Sequence, residues 1–510
     1  MTSQTYPSVP GAGDRRTVSY TPDAAGRLAS LSTSATSYAP AASVLSIGYA
    51  SHNGLKTETY GNNLIHAVSY NNRLQSSEIK LGTSGAPTSV VGLTYNYGTT
   101  NNNGNLQSTS YAGGGLSYTQ TFGYDQLNRL TTSQEGASWS QTNSYDPFGN
   151  RSIVGGALTF SASNNRITNA GYSYDAVGNL TNDTAHWYTF DAENKITKVD
   201  NLSAYVYDGE GQRVRKLVNE NLRFIYGIGG EQIAEFHGDS GLLMKEYIYG
   251  ASGLVATIEP PAVNANGTRY TTSDHLGSPR VVTNSSAGVA SRHDYLPFGE
   301  ELFAGTGGRT MAQGYSQPDG VRQGFTGYEK DGETGLNFAQ ARYQSPTQGR
   351  FTSPDAYVIF FEMKRGRNAR ERAGMLRAYA SEPQNWNRYS YCINDPVNLI
   401  DPSGLIWLTK DNENYQWVDD DKYRKEDWEG YSEADAGTIA YFGEGWGGYQ
   451  DKYKGLMGSY VTLNADGSLS SAGISDVDEV NDPPHQSLVM IGDQSFTRKV
   501  RGRSQPAALQ

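Results

Sequence analysis

The feature that most restricts this chain is a short pattern that returns along its first half. An aromatic residue and an aspartate are followed by two variable positions, a glycine or asparagine, a polar or basic residue and then the next strand. Clear copies run from Tyr124-Asp125 to Leu130, from Tyr145-Asp146 to Arg151, from Tyr174-Asp175 to Leu180 and from Tyr207-Asp208 to Arg213. Looser ones lie at Tyr20 to Leu28 and at Phe190-Asp191. The aromatic ends a strand, the aspartate caps a turn, and the glycine or asparagine accepts a positive φ before a second strand begins. Each unit is therefore a β-hairpin. Hairpins with one apolar face are stable only when stacked, so the repeat calls for a continuous sheet that spirals or closes.

Composition agrees with such an array. With 59 Gly, 36 Tyr and 36% hydrophobic residues, the 510-residue chain suits polar-faced strands and many turns better than a helical bundle. A net charge of -11 argues against nucleic-acid or anionic-membrane binding by the shell, since both need a basic surface. Cys392 is the single cysteine, so no intrachain disulfide forms. No apolar run reaches the ~20 residues of a membrane helix, and Met1 to Arg16 lacks the apolar centre of a signal peptide. The expected location is secreted or cell-surface by a route without such a signal, with a cytoplasmic stage before export.

After residue 265 a denser series of motifs appears: Asp274-His275-Leu276-Gly277-Ser278-Pro279-Arg280, Asp294-Tyr295-Leu296-Pro297-Phe298-Gly299-Glu300 and Phe325-Thr326-Gly327-Tyr328-Glu329. Thr334-Gly335-Leu336, Ala341-Arg342-Tyr343, Gly349-Arg350-Phe351 and Ser353-Pro354-Asp355 follow. Asn387-Arg388-Tyr389-Ser390-Tyr391, Asn394-Asp395-Pro396-Val397-Asn398 and Asp401-Pro402-Ser403-Gly404-Leu405 complete the order. This series resembles the core of Rhs/YD-repeat proteins, related to teneurins and to the B and C subunits of Tc toxins. The resemblance implies a mainly β fold of stacked antiparallel hairpins forming part of a spiral β-cocoon that encloses a C-terminal effector. It divides the chain into a YD-repeat shell at 1–264, an Rhs core at 265–405 and a variable segment at 406–510, β-rich or α+β. The repeats are too few for a whole cocoon, so the expected partner is an upstream shell segment or a second shell chain covering the sheet edges.

The same resemblance implies self-cleavage between Leu405 and Ile406 by an aspartyl pair, Asp355 and Asp401, supported by Arg342. The chemistry is reasonable in itself: peptide hydrolysis needs one carboxylate to activate water and one carboxylic acid to donate a proton. Arg342 would orient one carboxylate or hold it charged. Ser-Pro-Asp and Asp-Pro-Ser-Gly also suit ordinary Asx turns and helix caps. Tyr343-Gln344-Ser345-Pro346 and Ala356 depart from the family pattern, and the stretch from Tyr357 to about Gln384 is long. Asp395 is expected to face solvent rather than act on the pair. Lys364, Arg365, Arg367, Arg370, Arg372 and Arg377 in the long stretch read as a short basic helix with a solvated face, an acidic partner surface being the alternative.

From Ile406 onward ten Lys and Arg stand against eighteen Asp and Glu, a net charge of -8. Turns are expected at Gly443 to Gly445 and at Asn464 to Gly467, and Arg498 to Gln510 reads as a disordered tail. His485 is the segment's one histidine, and it has no cysteine, so zinc clusters and Cys-His pairs are excluded there. No cofactor or metal is called for. The leading reading is a self-cleaving shell that encloses or delivers 406–510, with a small immunity protein as a further partner if that segment is toxic. The alternatives are a non-catalytic YD-repeat surface protein that binds carbohydrate through its tyrosines, and a truncated remnant.

Overall fold

A computed structural model describes residues 2–404 apart from 9–14, 101, 157, 201–202, 219–220, 262, 264–266, 356–368 and 382–385; beyond 404 it describes strands between 408 and 500. The chain forms two compact units, Met1–Asn412 and Glu413–Gln510.

The first unit is built almost wholly of antiparallel neighbours in sequence order. Thirteen strands, β1 (Ser3–Thr5) through β13 (Arg151–Ile153), make one sheet, and eleven, β16 (Tyr188–Phe190) through β26 (Val289–Arg292), make another. A two-stranded piece, β14 (Tyr172–Tyr174) with β15 (Leu180–Asp183), stands between them. The stacked hairpins expected from the repeat are therefore present, and the eleven-stranded sheet continues across residue 265.

The repeat acts through three linked contacts. In the turn at Asp125, the carboxylate accepts from the backbone N–H groups of Leu127 and Arg129 and from the Arg129 guanidinium, while Asn128 takes φ 59°. The Asp23 turn is built the same way around Gly26. A register shift falls at the aromatic position, between Gly123 and Tyr124 and again between Val206 and Tyr207, and such a bulge re-aims the side chain. The ring turns back onto the preceding hairpin. Its hydroxyl donates to a carbonyl there: Tyr49 to Leu28 (2.8 Å), Tyr70 to Leu55 (2.9 Å), Tyr145 to Leu130 (2.6 Å) and Tyr207 to Ile196 (2.7 Å). The arginine of the preceding turn lies over the same ring, Arg27 on Tyr49 at 4.5 Å and Arg129 on Tyr145 at 4.6 Å.

One turn breaks its own rule. Leu74 holds the left-handed position at φ 62° and is 52% exposed, so it bears the steric cost of that region with little burial in return. Leu74→Gly is expected to stabilise the unit by up to about 1 kcal/mol in urea unfolding. A lower midpoint than wild type would show that the turn is unstrained.

The two large sheets meet across a shared core that includes Leu31, Leu81, Val255 and Val281. Tyr60 stacks on Tyr270 with centroids 5.6 Å apart, Asn62 donates to Thr283 at 3.1 Å, and Arg16 pairs with Glu246 at 2.5 Å. Side chains fill the space along these contacts. Several buried charges lie in networks: Arg309 joins Glu135 (2.7 Å) to Asp294 (2.6 Å), and Arg280 joins Asp294 (2.5 Å) to Asp274 (3.4 Å). Burial alone would raise the Asp294 carboxyl, yet Arg280 and Arg309 hold it below the usual range.

Past β26 the strands shorten to β27 (Glu329–Lys330), β28 (Asn337–Ala339), β29 (Arg342–Ser345) and β30 (Arg350–Phe351), which form a four-stranded sheet. A helix at Ala369–Ser381 lies where the basic stretch is predicted, with Arg370, Arg372 and Arg377 exposed; Lys364, Arg365 and Arg367 fall outside the described residues. Then β31 (Leu399–Ile400) pairs with Leu408–Thr409. Among the described residues no helix is long and apolar enough to cross a membrane.

In the second unit Ser432–Glu433, Arg498–Val500 and Leu488–Met490 form one antiparallel sheet, and Ile439–Phe442, Ser459–Leu463 and Leu469–Ser471 another. The turns expected at Gly443 to Gly445 and at Asn464 to Gly467 lie outside the described residues. Arg498–Val500, expected to begin a disordered tail, is instead a paired strand, and residues 501–510 lie outside the described residues.

Candidate functional site

Arg342 is the first residue of β29, directly after a tight connection in which Gln340 takes φ 57°. Its guanidinium lies flat over Phe351 of β30, 3.7 Å from the ring centroid, and the residue is 5% exposed. Held there, one nitrogen, Nη2, reaches Asp355 at 3.0 Å and Asp401 at 3.4 Å. The two carboxylates that lie 46 positions apart in sequence thus share one guanidinium nitrogen. Their oxygens can be no farther apart than those two contacts laid end to end.

Backbone contacts fix both aspartates. The Asp355 N–H donates to the Arg388 carbonyl at 2.7 Å, and the Arg388 side chain donates back to the Asp355 carbonyl at 2.9 Å. Asp401 follows β31 and is buried, and its carbonyl accepts from the Tyr328 hydroxyl. Asp355 is the wetter of the pair, its side chain 24% exposed against 2% for Asp401.

The chain beyond Asp401 is gripped by its main chain. Ala341 N–H donates to the Ser403 carbonyl at 2.9 Å, and Arg342 Nε donates to the Gly404 carbonyl. Gly404 sits at φ 76°, and a Cβ there would come 2.6 Å from the Ala339 carbonyl oxygen and 3.0 Å from the Arg342 nitrogen. Only glycine fits this close approach. Leu405 and Ile406, the residues of the expected cleavage, lie outside the described residues.

The segment just before Asp401 attaches to the repeat turns. Asn394 donates to the Gly149 carbonyl (2.9 Å), Tyr389 to the Gly178 carbonyl (2.7 Å) and Asn387 to the Asn150 side chain (3.0 Å). The backbone of Cys392, Ile393 and Asn394 is left-handed throughout, with φ of 46°, 43° and 65°, a strained run for non-glycine residues. Asp395 overturns an expectation: it is 6% exposed rather than solvent-facing, because the turn folds it inward against Asn398. Burial pushes its carboxyl up to about 7, opposed by the Asn398 hydrogen bond. The sequence motifs contain Tyr328, Phe351, Arg388 and Gly404, but spacing alone gives none of them its contact, Tyr328 and Arg388 with the aspartates and Phe351 and Gly404 with Arg342.

Two buried clusters lie elsewhere. His293 is held between Asp319 (2.8 Å) and Glu301 (2.7 Å); burial lowers it, but the two carboxylates win and bring it up to about 9. Arg213 pairs with Asp331 (2.6 Å) and Glu329 (2.8 Å). The Arg213 tie joins segments 118 positions apart. Among the described residues no group of His, Cys, Asp and Glu could hold a metal ion.

Comparison with known proteins places this architecture. The chain is 27% identical over 305 residues to the tRNA3(Ser)-specific nuclease WapA of Bacillus spizizenii, covering 56% of this chain and 12% of that protein. It is 22% identical over 318 residues to toxin subunit YenC1 of Yersinia entomophaga, covering 56% of this chain and 29% of that one. The chain therefore spans less than a third of the length of either relative. The Photorhabdus luminescens Tc holotoxin pore shares the fold, with a TM-score of 0.59 at 17% identity over 79% of this chain and 21% of that one. The teneurin YD-shell family model matches residues 29–397, so the bulged hairpins, the tyrosine ties and the segment that hooks their turns are those of a member of the teneurin YD-shell family.

Proposed function

We propose that this chain is an Rhs-type shell protein that cuts itself between Leu405 and Ile406, separating a C-terminal segment for enclosure or delivery. The observation that carries the reading is the single guanidinium that holds Asp355, Asp401 and the Gly404 carbonyl together. Asp355, the carboxylate nearer water, activates a water molecule for attack on the Leu405 carbonyl carbon. Asp401 gives the proton that leaves with the Ile406 nitrogen. One water is consumed, the C–N bond breaks, and a carboxylate at Leu405 and an amine at Ile406 result. Arg342 and Tyr328 orient the substrate strand and touch no bond that changes.

The wall is completed by further shell strands. Among the described residues β1 pairs with β2 alone, and its other edge is where another segment or chain would add. Solved Tc neighbours include complexes of named shell and toxin components, which favours a shell partner here. The toxin relatives favour a secreted role.

The test is the intact mass of the purified full-length chain over time. Conversion into pieces of 405 and 105 residues, at a rate independent of protein concentration, is the expected result. A new N-terminus at any residue other than Ile406 would move the scissile bond, and an unchanged chain would leave a non-cutting shell.

A further inference from the structure

The buried acid Asp395 is linked to the repeat strands through one side chain, that of Asn398. Asn398 accepts from the Leu106 N–H at 2.9 Å through its side-chain oxygen and donates from its nitrogen to Tyr124 at 3.1 Å and to Asp395 at 2.6 Å. Tyr124 in turn donates to the Leu106 carbonyl at 2.7 Å. The backbone carbonyl of Asp395 also takes the N–H of Leu399, which opens β31 and leads to Asp401. One side chain thus stands between the strand ends at Leu106 and Tyr124 and the segment carrying the cleavage-site carboxylate.

The titratable groups that act on Asp395, to which that side chain is bonded, are uncharged near neutrality. Tyr124 and Tyr145 face it from the repeat strands and Cys392 faces it from its own turn; burial raises all three above their usual ranges, so none carries charge near neutrality. Arg151 and Arg129 act on Tyr145, and Arg342 and Asp401 act on Cys392. Among the described residues no Lys, Arg or His contributes to the state of Asp395. A carboxylate here would lie in a low-dielectric pocket with one amide donor as its compensation.

We propose that Asp395 is a proton-operated latch: protonated, it lets Asn387–Asn398 seat on the repeat turns, and when it ionises that segment loosens from the shell. Its raised carboxyl supports the direction. A carboxyl at about 7 when seated and near 3.8 when released binds the extra proton in the seated state, so seating is strongest in acid and weakens as pH rises toward 7. Above that the loss is complete. The latch is independent of whether the chain cuts itself.

Hydrogen exchange on the full chain, corrected for intrinsic rates, reads the latch directly. Amides from Tyr389 to Leu399 are expected to lose about tenfold protection per pH unit between pH 5 and 7, while strand amides at Ile79 to Leu81 hold theirs. In Asp395→Asn the same amides are expected to show a flat profile at the acid-like level. An equal fall in Asp395→Asn would assign the titration to another group, and no fall in wild type would overturn the proposal without any variant. Should Asp395→Asn misfold, Asn398→Asp gives a second test, since two adjacent carboxyls hold a shared proton to higher pH and must carry the fall in protection on above pH 7; a fall that still ends near pH 7 counts against the latch.

Discussion

The Asp401→Asn chain is expected to remain a single 510-residue species under conditions that convert wild type into two pieces, with a cutting rate at least ~100-fold lower. Asp355→Asn is expected to do the same, because a lone carboxylate cannot serve as base and acid in one step. Both variants leave Arg342 one carboxylate to hold, so folding survives and the loss reads chemistry. Gly404→Ala supplies the contrast: it keeps both acids yet drives a methyl group toward the Ala339 carbonyl, displacing the strand to be cut. Mass spectrometry against time separates these cases. Full-rate cutting in either Asn variant would remove that aspartate from the reaction.

Arg309→Ala is expected to cost about 3–5 kcal/mol in urea unfolding. The residue is 1% exposed and is the cation that joins Glu135 of the first sheet to Asp294 beyond the second. Removing it leaves Glu135 with Gln120 as its remaining donor, while Asp294 keeps Arg280 and two tyrosine hydroxyls. The penalty thus falls mainly on Glu135, and Glu135→Gln in the Arg309→Ala background is expected to recover much of it. A loss below about 1 kcal/mol would mean that water reaches the pair.

Sequence reading reached the hairpins where the aspartate of the turn is present. It passed over the turns after Tyr49 and Tyr70, where Ala50 and Asn71 stand instead and Asn53 and Leu74 take the positive φ; the tyrosine hydroxyl bond persists there without the acid. Arg342, Asp355 and Asp401 were legible as a group through their motifs, and they do meet. The inward turn of Asp395 was not legible, because it follows from three successive left-handed residues, Cys392 to Asn394, of which only Asn394 is of a type that favours that region. Long-range partners such as Arg309 with Glu135, 174 positions apart, leave no local periodic signal at all.

The tyrosine that reaches back across each junction also bears on how such a wall can change over evolutionary time. A hairpin offers a carbonyl and a cation on one side and an aromatic ring with its hydroxyl on the other, so every copy carries both halves of a joint. Duplicating or excising one whole hairpin in frame rejoins matching halves at the junction, and strands a polar group only where that hairpin also reaches across to the other sheet, as Glu135 does. Growth by unequal recombination is therefore cheapest at hairpins without such a tie. It stops at the segment that hooks Gly149 and Gly178, whose grip is set to two particular turns.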